Sequence, residues 1–421
     1  MKICTASLFG EGSYFSWLFR HEGQDSSITV KESKYSKALE GLVNSMPGDA
    51  EYAAEDYDLI VFDTTGMGET AEEVKQKVPT IGDSVLADRL EEDRLFGLDL
   101  MTKAGVKVSM WEAFDDASDA IRFIRKTKKR FVFKPIGEIE DKSLTYVSDS
   151  DEDMLRYLDV LFRSNKVSQF VLQEYVAGAE VSTQVYLNES GYYALNHTWE
   201  SKKFLNGNLG PNTGCAGAFN CLAKRENALF EKGLKKCLEP LQSLGYTGPI
   251  DLNTIVNGEG VWGLEFCARL GYDSDALLAR LLPVKFSEFL YAVATNQDMP
   301  DLSAKFPYCA SVRLSIPPYP SELPDKFFKE GVPIEGLKEE DLERFFVYDV
   351  RKRGESDDLE TAGLCGWIGS PLAVGQNPGE AFESAYQMLK EVRVPNAQYR
   401  TDICEATTKR WWKLKEEGYL K

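Results

Sequence analysis

Histidine is almost missing from this sequence: 421 residues contain His21 and His197 and no others. That scarcity argues against a Ser-His-Asp hydrolase and against metal centres built on imidazole. Positive charge is also in short supply, with 49 lysines and arginines against 67 acids and a net charge of -18. An extended nucleic-acid interface needs clustered cations and is disfavoured, although a local basic pocket is not. No uninterrupted apolar run approaches the ~20 residues of a membrane span. Gly10-Glu11-Gly12 interrupts the beginning of the chain before a signal-peptide core could form, so the chain reads as cytoplasmic. The eight cysteines are scattered without a Cys-x-x-Cys pair, which favours reduced thiols over disulfides or structural zinc. No internal repeat or low-complexity segment stands out.

What remains is a chain rich enough in apolar residues, 43%, for several cores, and long enough for two to four domains. Over residues 1–105, strand candidates at 2–8 and 57–62 alternate with helices at 14–20 and 69–76, which predicts a parallel α/β domain with ligands at the carboxyl ends of its strands. A helix over 84–104 ends at Gly105. A smaller α/β unit follows over 106–178, with helices at 117–127 and 152–163 and strands at 130–135 and 170–176. Residues 179–305 read as antiparallel strands, a Gly- and Asn-rich irregular stretch at 205–217, and a helix over 223–244. A boundary falls near 299–307, and residues 306–421 read as an α+β domain with a helical tail. Phe15 to Phe19 and Trp411-Trp412 read as packing residues rather than stacking platforms.

The segment Pro249 to Arg269 reads as a β-hairpin with acids on one face. Asn257-Gly258 supplies a turn signal. Alternation puts Asp251 and Asn253 on one face of the first arm, and Glu265, Cys267 and Arg269 on one face of the second. A three-residue loop, 257–259, would set Asp251 across from Glu265, whereas a two- or four-residue loop would send them to opposite faces. Facing carboxylates repel unless a divalent cation lies between them, and oxygen ligands beside an arginine suit Mg²⁺ holding a polyphosphate. A solvated face with a surface salt bridge gives the same pattern.

Phe131-Val-Phe-Lys-Pro135 places Lys134 inside a strand, where a buried amine needs an anion such as a phosphate oxygen. About 40 residues on, Gln173-Glu-Tyr-Val-Ala-Gly-Ala-Glu180 puts amide groups beside a strand end and an acid after a glycine turn. That arrangement suits an adenine, with the acid reaching ribose hydroxyls. A lysine strand, this hinge, a glycine-rich loop, an Asp-x-Asn hairpin and Glu-x-x-x-Arg-x-Gly follow one another in the order found in ATP-grasp enzymes.

The chain resembles phosphoribosylamine-glycine ligase over nearly its whole length. Leu209-Gly-Pro-Asn-Thr-Gly-Cys-Ala-Gly217 is similar to that family's Gly-Pro-Asn-Thr-Gly-Gly-Met-Gly loop, and Leu264-Glu-Phe-Cys-Ala-Arg-Leu-Gly271 to its Leu-Glu-Phe-Asn-x-Arg-Phe-Gly. Pro318-Tyr-Pro320, Gly331-Val-Pro-Ile-Glu-Gly336 and Gln398-Tyr-Arg-Thr-Asp-Ile403 resemble signposts of its C-terminal domain. The resemblance implies an α/β ATP-grasp fold with an N-terminal parallel domain, small and large ATP-grasp subdomains, and a C-terminal α+β domain. It also implies an ATP-dependent carboxylate-amine ligase of purine biosynthesis, working through an acyl phosphate.

The implied cofactors are ATP and Mg²⁺ or Mn²⁺, and the implied partners are an amino acid and an amine, with the protein a monomer or homodimer. Lys134 would hold α/β-phosphate oxygens, with Arg94 a lesser candidate for a second phosphate contact; Gln173, Tyr175 and Val176 would line the adenine; and Glu180 would bind ribose. Glu265, helped by Asp251 or Asn253, would hold the metal, and Arg269 would neutralise the transferred phosphate. Asn212, Thr213 and Gly214 would touch the carboxylate substrate and its acyl phosphate. Three departures stand out. Cys267 replaces a metal-binding asparagine. The segment 137–142 is acidic where the family is rich in glycine and lysine. The two N-terminal loops that help recognise phosphoribosylamine read here as Gly10-Glu-Gly-Ser-Tyr-Phe15 and Asp63-Thr-Thr-Gly-Met-Gly68. The ATP half therefore matches better than the acceptor half, leaving open the same ligase chemistry on another acceptor, such as a modified nucleotide, or a catalytically weak nucleotide-binding protein.

Overall fold

Five sheets organise the described residues, in a computed structural model describing residues 1–46, 54–136, 145–163, 169–299, 301–321 and 330–420. The first sheet has the strand order Asp25–Val30, Lys2–Ser7, Leu59–Phe62, Thr80–Ile81, with every pair parallel. The strand Asp25–Val30 is absent from the sequence reading because it begins Asp-Ser-Ser; its partner on one side supplies the burial its own composition does not advertise. The aromatic residues of the helix Ser13–His21 are core: Tyr14, Phe15, Trp17 and Phe19 are all buried. The carboxyl ends of Lys2–Ser7 and Leu59–Phe62 open into the loops beginning at Leu8 and Asp63.

The expected helix over 84–104 is two helices, Val85–Glu92 and Arg94–Lys103. Asp93 leaves the helical region and caps the second, its carboxylate accepting from the Phe96 amide at 2.9 Å. This break turns Arg94 into a first-turn residue of its own helix.

The small sheet runs Trp111–Phe114, Gln169–Glu174, Phe131–Ile136, Tyr146–Val147, all antiparallel. One face packs Phe114, Phe131, Phe133 and Phe170 against the helices Ala117–Thr127 and Asp151–Arg163. Strand alternation then sends Lys134 to the opposite face, in an interior strand. The acidic segment 137–142 lies outside the described residues.

The large sheet has eight strands in the order Ala373–Gly375, Tyr308–Val312, Leu209–Leu222, Gly191–Leu205, Ala179–Asn188, Gly248–Asn257, Gly260–Cys267, Lys107–Val108. It crosses the boundary anticipated near 299–307, because Tyr308–Val312 pairs with Leu209–Leu222. The stretch 205–217, read as irregular, is largely the long strand Leu209–Leu222, paired with Gly191–Leu205 through two register shifts. Its glycines and asparagines are accommodated because they sit at an exposed hairpin end with a short turn at Asn206–Asn208, rather than in a core strand. The expected helix over 223–244 is likewise divided, into Ala228–Lys232 and Lys235–Ser243, with the non-helical Gly233 between.

Candidate functional site

Strand register places the two chemical groups of the acid-bearing hairpin. The loop is two residues, with Asn257 paired to Gly260, not three. A bulge between Asn253 and Thr254, opposite Leu264, then shifts the ladder so that Asn253 faces Glu265 and Asp251 faces Cys267. The predicted juxtaposition of Asp251 with Glu265 is therefore wrong in register but right in face, because the bulge restores the parity that an even loop removes. Asp251 is withdrawn from solvent: its Oδ1 is buried without a hydrogen-bond partner among the described residues, and burial pushes its carboxyl well above the ordinary range.

Glu265 forms a bridge of 3.2 Å to Arg94 Nη1, so the helix start created by the break at Asp93 delivers its arginine to the hairpin. Lys134 faces this group from the small sheet. Burial lowers its amine to about 8, while the nearby carboxylates Glu265 and Glu180 work against that and Arg94 and Lys202 work with it. Two sheets and a helix thus converge on one charged cleft.

Glu180 accepts from Lys202 Nζ at 2.7 Å and from Asn253 Nδ2 at 2.9 Å. Burial alone would raise Glu180; Lys202 overcomes it and holds the carboxyl below its usual value. Lys202 escaped the sequence reading, which took 205–217 as irregular and so did not extend the strand from 191 to 205. Extending it two residues at a time from Thr198 would have put Glu200 and Lys202 on one face.

Gln173 is 2% exposed, and its Nε2 has no hydrogen-bond partner among the described residues. A buried orphan amide beside the hinge is what a purine edge would satisfy. The Glu174 and Tyr175 amides donate to Met110 and Arg130 carbonyls at 2.8 and 2.9 Å, so those two hinge donors are already committed. Tyr175 lies under the Arg130 guanidinium, 3.6 Å from the ring centroid.

Arg269 follows the strand Gly260–Cys267. Its Nε donates to Glu91 at 3.2 Å, and the Ala268 amide donates to the other oxygen of the same carboxylate at 2.7 Å. Glu91, nearly buried, fixes the guanidinium in place and raises its affinity for the proton. No sequence signal distinguished Glu91 from the other acids of that helix.

Thr213, within the strand Leu209–Leu222, donates its hydroxyl to the Lys202 carbonyl at 3.1 Å, and its own carbonyl accepts from Arg313 Nη1 at 3.1 Å. Asn212 pairs with Lys203 in the ladder, and Gly214 has φ +71°, in the region that favours glycine. Arg313, also missed, is buried against Asp273 and stacks 3.7 Å from the Trp367 ring centroid.

The motif at 398–403 acts on this same hairpin. Arg400, 2% exposed, donates to the Lys203 carbonyl at 2.9 Å and to Asn208 Oδ1 at 3.0 Å, while its other nitrogens bind Asp402. Arg400→Leu is expected to lower unfolding free energy by about 2 kcal/mol, because it leaves the Lys203 carbonyl and Asn208 Oδ1 without their donor, while the partly exposed Asp402 keeps the Gly207 amide. Urea denaturation measures it; a loss under about 1 kcal/mol would show that the hairpin does not depend on this latch.

Among the described residues, no cluster of three or more His, Cys, Asp or Glu is arranged to enclose a metal ion. The donors that fit a hard cation are the Glu265 carboxylate and the neighbouring hairpin oxygens of Asn253 and Asp251. Cys267 does not fit, since burial pushes its thiol well above the ordinary range and keeps it neutral.

Residues 92–272 match the family model described as phosphoribosylglycinamide synthetase, ATP-grasp (A) domain. The phosphoribosylamine-glycine ligase of Streptomyces coelicolor is 25% identical over 337 residues, covering 77% of this chain and 78% of that protein. Of solved structures, the phosphoribosylamine-glycine ligase of Thermotoga maritima matches with a TM-score of 0.75 at 20% identity, over 96% of this chain and 100% of that one. The biotin carboxylase domain of Hydrogenobacter thermophilus 2-oxoglutarate carboxylase, solved with MgADP and bicarbonate, matches at 0.64 and 12% identity, over 99% and 98%. At these identities the structural matches establish the fold.

Proposed function

We propose that this chain, an ATP-grasp protein of the phosphoribosylamine-glycine ligase family, is an ATP-dependent ligase that joins a small amino acid to an amine. The observation that carries the reading is the cleft itself: Lys134 and Gln173 on the small sheet face Glu180, Lys202 and Glu265 on the large one, with Arg94 bridging from a helix. Adenine is placed at the orphan amide of Gln173, near Tyr175 and Val176. Ribose is placed at Glu180, and phosphate oxygens at Lys134 and Arg94. Glycine, the amino acid named in the relatives' reaction, is placed near Asn212, Thr213 and Gly214. Among the described residues no helix is long and apolar enough to cross a membrane, which accords with work in the cytoplasm on small molecules.

In this reading the amino-acid carboxylate attacks the γ-phosphorus of ATP, ADP departs, and an acyl phosphate forms. The amine nitrogen then attacks the acyl carbon, the bond from that carbon to the phosphate oxygen breaks, phosphate leaves with the electron pair, and the nitrogen gives up a proton. The chain supplies orientation and charge: Lys134 and Arg94 hold the phosphates, and Arg269 meets the charge on the group in transfer. Mg²⁺, held by Glu265 and the nucleotide, would screen the phosphate oxygens.

The test is acyl-phosphate trapping with Mg-ATP, glycine and hydroxylamine, followed by mass spectrometry. Glycine hydroxamate with matched ADP and phosphate is expected. No hydroxamate from glycine or any other amino acid would overturn the ligase reading. For the metal, Cys267→Asn is expected to lower the Mg²⁺ concentration giving half-maximal phosphate release by about threefold, by adding a hard oxygen beside Glu265. An unchanged Mg²⁺ titration would place position 267 outside the metal's reach.

A further inference from the structure

The glycine-rich strand leaves its ladder where the amino acid is placed. Between Gly191–Leu205 and Leu209–Leu222, the step from Ser201 to Lys203 on one strand is matched by the longer step from Asn212 to Gly217 on the other. Thr213 to Ala216 therefore stand outside that pairing as a wide bulge, and their polar groups take partners elsewhere. The Thr213 hydroxyl donates to the Lys202 carbonyl at 3.1 Å. Arg313, immediately after the strand Tyr308–Val312, holds the bulge at both ends. Its main-chain amide donates to the Ala216 carbonyl at 3.0 Å, and its Nη1 donates to the Thr213 carbonyl at 3.1 Å, where Tyr319 Oη also donates at 3.4 Å.

Fixing that carbonyl fixes the donor beside it. In a planar trans peptide the carbonyl and the following N–H point in opposite directions, so the Gly214 amide is turned away from Arg313. Gly214 is exposed, has φ +71°, and a Cβ built on it would meet no atom within 4 Å, so a ligand can approach its main chain. Arg313 itself has little freedom. It is 8% exposed, its Nη2 is paired with Asp273, its Nη1 also donates to Tyr319 Oη at 2.7 Å, and its guanidinium lies 3.7 Å from the Trp367 ring centroid. Asp273 belongs to the first turn of the helix Tyr272–Leu281, and the segment leading into that helix carries Arg269. That segment is anchored at both ends: Glu91 accepts from the Ala268 amide and Arg269 Nε, and Asp275 accepts from the Gly271 amide at 2.6 Å.

We infer that Arg313 is a positioning residue for the first half of the reaction. Through the Thr213 carbonyl it aims the Gly214 amide at one carboxylate oxygen of the amino acid, leaving the other oxygen to attack phosphorus. Through Asp273 it holds that donor in a set relation to Arg269, the group assigned to the phosphoryl in transfer. A main-chain donor oriented in advance needs no reorganisation as the carboxylate reacts. Arg313 touches neither substrate in this assignment, and the inference rests on the ligase reading above.

The experiment measures hydroxamate formation by the full chain from Mg-ATP, glycine and hydroxylamine, with ATP binding followed separately by calorimetry. Removing Arg313 alone would strand the buried Asp273 carboxylate, so the pair is replaced together, Asp273→Asn with Arg313→Gln. The KM for glycine is expected to rise about tenfold and kcat to fall about tenfold, together the scale of a misplacement near ~1 Å, while Kd for ATP changes less than about twofold. Partial unfolding would lower kcat by reducing the active fraction and would leave the glycine KM where it was. Arg313→Lys keeps a charge for Asp273 but loses the guanidinium fork, and is expected to retain the thermal midpoint within about 3 °C while the glycine KM rises about fivefold. A glycine KM within about twofold of the parent in both variants, or an ATP Kd weakened as much as the glycine KM, would overturn the inference with the ligase intact. Absence of hydroxamate from the unaltered protein would overturn the ligase reading and this inference with it.

Discussion

Replacing Arg269 with methionine is expected to lower the kcat for ATP-dependent phosphate release about a thousandfold, with KM for ATP changing less than threefold. The magnitude follows from what a positioned arginine contributes when charge develops on a phosphoryl group in transfer, roughly 10³–10⁵ in rate. The split between kcat and KM follows from its place: Arg269 sits at the hairpin end beyond Glu265, whereas Lys134 and Arg94 are the groups assigned to the resting nucleotide. The substitution also strips Glu91 of its guanidinium, and an uncompensated buried carboxylate costs on the order of 3–5 kcal/mol. The double variant Glu91→Gln with Arg269→Met separates the two effects. Its thermal midpoint is expected to recover most of the loss, and its kcat none of it. Glu91→Gln alone keeps the arginine but weakens its anchor, and a loss of about tenfold is expected. Steady-state phosphate release with glycine and hydroxylamine measures all three; an Arg269→Met protein within tenfold of the parent kcat would remove this residue from the reaction.

Lys134→Met is expected to weaken ATP binding about a hundredfold and to abolish its pH dependence above neutrality. Burial lowers the Lys134 amine to about 8 in the free protein. Phosphate oxygens favour the charged form, so the amine titrates at a higher pH in the complex than in the free state. The sign follows: below pH 8 the lysine is protonated in both states and affinity is flat. Above 8 a proton must be taken up on binding, and Kd rises up to about tenfold per pH unit. Calorimetry in two buffers of different ionisation enthalpy is expected to show proton uptake at pH 9 and none at pH 6.5 from this group.

The same shift predicts a stability effect of opposite sense. A lysine whose folded value lies below its unfolded one penalises folding in full below pH 8, and the penalty fades as pH rises toward 10.5. The methionine variant, free of that cost, is therefore expected to be more stable at neutral pH, by an amount on the order of 3 kcal/mol. A variant that binds ATP normally, or a parent protein with constant affinity from pH 7 to 9.5, would place Lys134 away from the phosphates.

Much of this was legible in the residues. The alternation Phe131-Val-Phe-Lys134 announces a strand with one aromatic face and one cationic position, and the fold turns that position to the cleft side. Gly66 and Gly10 mark turns at strand ends, and the aromatic run at 15–19 announces a buried helix. Local composition determines such elements because side-chain periodicity and backbone freedom act over a few residues. Where burial comes from elsewhere, composition misleads. The strand Asp25–Val30 opens with polar residues, and the polar, glycine-rich Leu209–Leu222 is held as a strand by its neighbour Gly191–Leu205, whose Lys203 carbonyl Arg400 binds from nearly 200 residues away.

The sequence by itself determined which chemical groups the protein owns and their order: a lysine strand, an amide-rich hinge, an acid-bearing hairpin, and an arginine after it. Only the tertiary structure decided which of them meet. A bulge opposite Leu264, invisible to any count of loop residues, put Asn253 rather than Asp251 across from Glu265. A break at Asp93 carried Arg94 to Glu265, and Glu91 came to hold Arg269. The physical reason is range: hydrogen-bonded register and ion pairing join groups far apart in sequence, and their strength depends on burial, which no stretch of chain sets alone.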